Sequence, residues 1–526
     1  MNDEPLNQNR DGASEDNRVI PKEYLVPFIL VTTLFALWGF ANNFTDPMVK
    51  VFKDVFAISN FQSAFVQMAF YGGYATMAIP AALFIRKFSY KSGIIMGLLL
   101  FAGGAMLSIP AAIGVNFWLF ILAIYILTFG LAFLETTANP FILAMGSEKT
   151  STMRLNLAQA FNPIGSLTGA FVAASVVMAN VNVADFKADV SGFTNQMTVT
   201  AEAETELNVL PFLKATIEER NKDANVEAYV QNYVAEAKTA KAAPGYDAEK
   251  DERAADKILD NALVDFREGK IESYQGETFT QMQQHDLGLV SKCYMTLGFV
   301  VLGTLLVFII KAMPDTTKSD EGSDDLDLGA TVGRLFTNPR YIFGVIAQMF
   351  YVGAQIMVWT FIIQYAEKEL GMDNATAANH QIMALVIFLT FRFICTYFLK
   401  FISPGKLLAT LAFGGILTTL GAIHITGMLG LYSLIATSAC MSLMFPTIYG
   451  LALEGIGEDA KLGSAGLILA IVGAVWLTGF QGAILDFDSF MGTTATRGSF
   501  YLSVGCFVIV AIYGFMCRNP KKSTVA

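Results

Sequence analysis

Charge is scarce in this chain. Only 15% of its 526 residues are Asp, Glu, Lys or Arg, against 54% hydrophobic, where a soluble globular chain carries about a quarter charged residues. Histidine is nearly absent, with three scattered copies, and the sequence shows no HExxH helix for a hydrolytic metal. Nor is there a GxxxxGK[ST] loop to hold ATP phosphates. The five cysteines (Cys293, Cys395, Cys440, Cys506, Cys517) fall in or beside apolar runs with no CxxC spacing. They predict buried free thiols, neither a disulfide framework nor a metal site. The first 23 residues are polar and of mixed sign, which argues against a cleaved signal peptide.

What is abundant is long apolar sequence. Mean hydropathy is +0.49, and the chain holds 43 Phe and 22 Met. A helix that crosses a bilayer needs roughly 20 mostly apolar residues. Twelve such runs occur, near 25–48, 60–85, 93–113, 116–145, 155–180, 288–312, 341–366, 377–401, 405–427, 429–452, 462–485 and 497–517. They are too long and continuous for the alternating strands of a membrane barrel. The expected fold class is an all-α membrane protein.

Lys and Arg in the short loops set the expected orientation. One side collects Arg86, Lys87, Lys149, Arg154, Arg334, Arg340, Lys400, Lys461, Arg518 and others. The other side has Lys50, Lys53, Lys368 and Arg497. Both termini are therefore expected in the cytoplasm. Residues 181–286 hold 21 acidic and 11 basic residues, a net of −10 that equals the charge of the whole chain. They read as an extracytoplasmic polar helical insert between spans 5 and 6, either merely solvated or a docking surface for a partner.

A polar linker at 313–340 halves the spans, and the halves share spacing. Gly39 to Lys87 is 48 residues, and Gly353 to Lys400 is 47; Pro140 leads Arg154 by 14, and Pro446 leads Lys461 by 15. The division is a tail at 1–24, a first half at 25–180 and 287–312, a second half at 341–517, and a tail at 518–526. Two parallel six-helix halves are the plan of the major facilitator superfamily, with a substrate site near the midplane.

Ionisable groups inside spans are costly, by roughly 2.5–3.5 kcal/mol on insertion scales, and are functional candidates. Two carboxylates qualify. Asp46 shares a helical face with Trp38 and Asn42 at spacings of four residues, beside Asn43. The alternative is that Asp46, before Pro47, caps a short helix. Glu135, in FLETTANPF, lies about 19 residues into span 4. It is suited to exchange protons unless a structural partner holds it, and Arg392 is the one candidate in the spans. In RLNLAQAFN, Asn156, Gln159 and Asn162 recur every three residues. Amides donate and accept, which suits neutral polyols, although helix–helix bonding would use them equally well. Span 7 places Tyr351, Gln355 and Trp359 on one face, then Gln364 and Tyr365; this is a binding face or a packed one. Carboxylates, amides and aromatic plates without a basic cluster point to a sugar rather than an organic anion.

LWGFANNFTD, FLETTANPF and RLNLAQAFN, with YVGAQIMVWTFIIQY in span 7, resemble the L-fucose–proton symporters. These lie within the fucose–galactose–glucose–proton symporter family of the major facilitator superfamily. The resemblance covers nearly the whole chain. Two features depart from the family: the insert at 181–286, and the loop AALFIRKFSYKSG, which lacks its usual acidic residue. The resemblance implies uptake of a monosaccharide with a proton, L-fucose before galactose or glucose, by a multi-pass protein of the bacterial inner membrane. It implies proton coupling by Asp46 and Glu135. It implies sugar contact by Trp38, Asn43, Gln159 and Asn162, to which the pattern of the residues themselves adds Asn42 and, from span 7, Gln355 and Tyr365. The first half would carry proton and sugar, the second mostly shape. The expected partners are the sugar, protons and the bilayer, with no nucleic acid, no cofactor other than the coupling proton, and a monomeric state. Proton-independent diffusion, a sugar sensor and, last, a membrane enzyme are the rival readings.

Overall fold

The structure is a computed structural model that describes residues 18–63, 65–183, 185–187, 262–311, 313, 328–372, 374–485, 487 and 489–519. The centre of the insert, most of the first part of the linker and most of both tails lie outside the described residues. Twelve helices are long and apolar enough to cross a membrane. Spans 1 to 6 are Lys22–Val55, Phe61–Lys87, Tyr90–Ile113, Phe117–Ala144, Glu148–Asn180 and Phe279–Ile310. Spans 7 to 12 are Pro339–Leu370, Thr376–Phe398, Pro404–His424, Met428–Leu453, Gly457–Leu485 and Ala495–Met516. Large apolar side chains such as Phe171, Phe299, Ile310, Trp476 and Phe480 are exposed on the outer faces of the spans, where lipid tails would meet them.

Span 6 begins nine residues before its apolar run. Thr278 caps it by accepting from Gln281 N while the Gln281 side chain answers, a reciprocal capping box. The polar turns that follow, QMQQHD, are helical without being apolar. Their Asp286 carboxylate accepts from Asn182 N (2.8 Å) and Val183 N (3.0 Å). The described flanks of the insert pack here. Phe186, Phe266, Tyr274 and Phe279 form an aromatic cluster, Lys187 pairs with Asp54 at 2.7 Å, and Arg267 donates to Ala57 O at 2.9 Å.

Spans 1 and 5 pack backbone against backbone. A Cβ on Gly165 would lie 1.8 Å from Ala36 O, one on Gly169 2.4 Å from Phe40 O, and one on Gly39 2.1 Å from Asn162 O. Small residues allow this approach, and it is the usual way membrane helices gain packing energy in a solvent as apolar as themselves.

The halves touch on the side that carries the described chain ends. Asn156 of span 5 donates to Thr447 Oγ1 of span 10 at 3.1 Å, and Gly455 N donates to Glu148 Oε1 at 2.8 Å. A Cβ on Gly450 would meet Thr152 Oγ1 at 2.8 Å. On the insert side, spans 1 and 2 stand apart from spans 7, 8 and 11 across a space of about 650 Å³. The molecule is thus closed on the terminal side and open on the insert side.

Candidate functional site

At the inner end of that open space lies a narrower cavity of about 140 Å³ between the halves. Asn43, Asp46, Tyr71 and Trp359 line both, so the cavity is continuous with the insert side. Spans 1, 2 and 5 form one wall and spans 7, 8 and 10 most of the other.

Span 1 supplies Trp38, Asn42, Asn43 and Asp46 to the wall. The helical spacing predicted for Trp38, Asn42 and Asp46 holds because span 1 is unbroken from Leu25 to Thr45. Trp38 Nε1 donates to Tyr74 OH of span 2, and the Trp38 ring faces Phe445 of span 10 at 6.5 Å between centroids. Asp46 has helical dihedrals and caps the C-terminal end of the helix Leu25–Thr45 within span 1, while Pro47 occupies the cap position of the next short helix, Met48–Val55, without a side-chain bond. The capping alternative is therefore not what the Asp46 carboxylate does here. It is exposed to the cavity and accepts from Gln67 Nε2 at 3.3 Å.

Span 5 breaks between Gln159 and Asn162, which separates the three amides that a continuous helix would have aligned. Asn156 falls on the closed side, in the bond to Thr447, and does not line the cavity. Gln159 and Asn162 do. Gln159 Nε2 donates to Asn139 Oδ1 at 2.7 Å, and Asn162 Nδ2 donates to Phe35 O at 3.2 Å. One N–H of each amide is thus bonded to the protein, which leaves the side-chain oxygen to accept from a ligand hydroxyl and the second N–H to donate.

Glu135 lies behind this wall, 3% exposed. Neither of its oxygens has a hydrogen-bond partner among the described residues. The structural pairing with Arg392 does not occur. Arg392 instead donates to Ser442 O at 2.5 Å and to Gln159 O at 3.0 Å. Asn139, one helical turn after Glu135, donates to the Glu135 backbone carbonyl and accepts from Gln159 of the cavity wall, which ties the carboxyl's helix to the cavity.

The sequence of this chain is 43% identical over 506 residues to the L-fucose-proton symporter of Haemophilus influenzae, covering 96% of this chain and 99% of that one. Identity to the L-fucose-proton symporter of Escherichia coli is 30%, over 88% of each chain. The solved Escherichia coli fucose–proton symporter superimposes with a TM-score of 0.68 at 27% identity, covering 95% of this chain and 100% of that one. No family model matches the sequence.

The chain belongs to the L-fucose–proton symporter family of the major facilitator superfamily.

Against that family pattern, the second half of the site is arranged differently from the sequence expectation. Gln355 lines the cavity. Trp359 lines it too, its Nε1 bonded to Ser438 Oγ at 3.3 Å and its ring edge-on to Phe388. Tyr365 does not. Its hydroxyl donates to Ala422 O at 2.8 Å and its ring packs on Phe500. Ten residues beyond Gln355 on a helix is about 15 Å further along the axis and roughly 80° around it, which turns Tyr365 toward spans 9 and 12. Tyr351 is likewise a packing residue, bonded to Met441 O at 3.0 Å.

Several cavity residues escaped the sequence expectation as binding groups, Tyr74, Phe445 and Arg392 among them. Tyr74 and Phe445 are aromatic residues in apolar runs, indistinguishable there from the many other rings of a chain with 43 Phe and 18 Tyr. Arg392 was visible as a cation inside a span, but its place in the cavity wall depends on how spans 5, 8 and 10 meet. The one-sided division of labour is also incomplete, because the second half contributes this cation and an amide as well as apolar shape.

Proposed function

We propose that this protein carries L-fucose and a proton together into the cell by alternating access. The observation that carries the reading is the placement of Glu135: a buried carboxyl with no hydrogen-bond partner among the described residues, one helical turn from Asn139, which bonds Gln159 in the wall of a cavity of amides and aromatic rings. A group so placed exchanges protons in step with what fills the cavity. Asp46, at the cavity rim, is the first carboxylate a proton from the open side meets, and Glu135 the second. Trp38 and Phe445 offer faces to the C–H side of a pyranose. The oxygens of Gln159 and Asn162, with Asn42, Asn43 and Gln355, address its hydroxyls.

The insert side is assigned to the outside and both termini to the cytoplasm, from the distribution of loop Lys and Arg. The open state described above is then the outward one. The protein works as a monomer, since one chain contains the whole cavity, and the proton is its only cofactor. Closure would bring spans 1 and 2 against spans 7 and 11 on the insert side while the Asn156–Thr447 and Glu148–Gly455 contacts part.

The test is uptake of labelled hexoses into proteoliposomes with and without an imposed pH gradient. Concentrative L-fucose uptake that collapses without the gradient supports the proposal. Preference for galactose or glucose would move the substrate within the same family, and uptake indifferent to the gradient would reject proton coupling.

A further inference from the structure

Two helix breaks, one in each half, share a single cation. Gln159 stands four residues before Pro163, and Ser442 four residues before Pro446. Proline has no N–H, so in each helix the carbonyl four residues earlier loses its intrahelical partner. A buried carbonyl so orphaned is unstable until another donor reaches it. In both breaks that donor is Arg392 of span 8, through Nε to Ser442 O at 2.5 Å and through Nη1 to Gln159 O at 3.0 Å.

The two bonds differ in kind. Ser442 and Arg392 belong to the same half, so their bond survives any rigid movement between halves. Gln159 belongs to the other half, so its bond crosses the boundary that alternating access must open. Arg392 is 3% exposed, is in no ion pair among the described residues, and stacks over Phe388 at 4.7 Å. With Gln159 it lines the sugar cavity, and Asn156, three residues before Gln159, bonds Thr447 of the second half on the closed side.

We propose that Arg392 is the tie between the halves at the floor of the cavity, a positioning residue whose bond to the Gln159 carbonyl holds the terminal side shut and must part for that side to open. The inference rests on the alternating-access reading above. It goes further by naming the bond and the reason it exists: Pro163 orphans the carbonyl that Arg392 then takes. A lysine could not replace it, since only the planar fork reaches two carbonyls in different helices at once.

The prolines supply the test. Pro163→Ala returns an N–H to the position four residues after Gln159 and competes with Arg392 for its carbonyl, leaving the cation in place. Pro446→Ala does the same for Ser442, within one half. Each change, and Arg392→Lys, is made in the full chain carrying a reporter cysteine at Thr478, on the open side, or at Thr152, on the closed side. Alkylation rates by a maleimide are read above the background of the native thiols. If the tie exists, Pro163→Ala and Arg392→Lys slow alkylation at Thr478 several-fold and speed it at Thr152, and Pro446→Ala changes neither. Unchanged rates in Pro163→Ala overturn the proposal, as does an equal shift in Pro446→Ala. Should Arg392→Lys fail to fold, the two proline variants still decide. Because the readout is geometry and not transport, a failed tie is distinguishable from a wrong substrate, which the uptake panel reports separately.

Discussion

Gln67 of span 2 donates a hydrogen bond to Asp46 of span 1 over 3.3 Å, at the rim where the narrow cavity meets the wider open space. The bond joins two neighbouring helices of one half and leaves the Asp46 carboxylate exposed to the cavity. A helix cap would have turned the same carboxylate toward backbone N–H groups of the following turn.

Asp46→Asn therefore separates coupling from architecture. Asparagine caps as well as aspartate, keeps the shape, and cannot release a proton. Uphill sugar uptake is expected to collapse, and sugar affinity measured against external pH is expected to flatten relative to the wild type. Normal concentrative uptake by the variant would leave Glu135 as the only coupling carboxylate.

Glu135→Gln is expected to abolish gradient-driven uptake while sugar exchange continues, because exchange moves no net proton. The neutral amide fits a site with no countercharge among the described residues, so expression should be close to normal. Counterflow and uphill uptake measured on the same preparation check this, and retained uphill transport contradicts it.

Gln159→Ala and Asn162→Ala each remove a group that accepts from a ligand hydroxyl. A hydrogen bond is worth about 0.5–1.5 kcal/mol net, so sugar affinity should fall by up to roughly tenfold in each case. Direct binding measurements read this. Asn156→Ala is the comparison: its amide bonds Thr447 on the closed side, and it should alter the balance of open and closed forms rather than intrinsic affinity.

Tyr365→Phe is expected to leave sugar affinity unchanged. Its hydroxyl serves the Ala422 carbonyl, and losing that bond should cost about 1 kcal/mol of stability. Thermal denaturation together with binding distinguishes this packing role from a sugar contact, for which affinity would drop and stability would hold.

Gly165→Ala tests the joint that sets Asn162 against span 1. The added Cβ would sit 1.8 Å from Ala36 O, against backbone that cannot rotate away. Overpacking typically costs about 1–3 kcal/mol, and a backbone collision belongs at the upper end. Loss of folded protein on size-exclusion chromatography is expected, and wild-type yield with wild-type binding would refute the close packing.

Apolar length alone determined twelve spans, because a bilayer admits only helices whose backbone groups are satisfied within the segment. The matched spacings of the two halves, and the intramembrane positions of Asp46 and Glu135, were equally local properties. So was the shared face of Trp38, Asn42 and Asp46, since span 1 runs unbroken and 3.6 residues per turn fixes the face. The same arithmetic failed in span 5. Pro163 breaks the helix there, and Asn156 parts company with Gln159 and Asn162. It failed again for Tyr365, where ten residues of regular helix carry the ring around to a different neighbour. Only tertiary structure decided which side of the molecule stands open, that Glu135 has no partner among the described residues, and that Arg392 reaches across to Gln159. Each of those depends on which helices lie side by side, and residues such as Gln159 and Arg392, 233 positions apart, carry no periodic signal of their meeting.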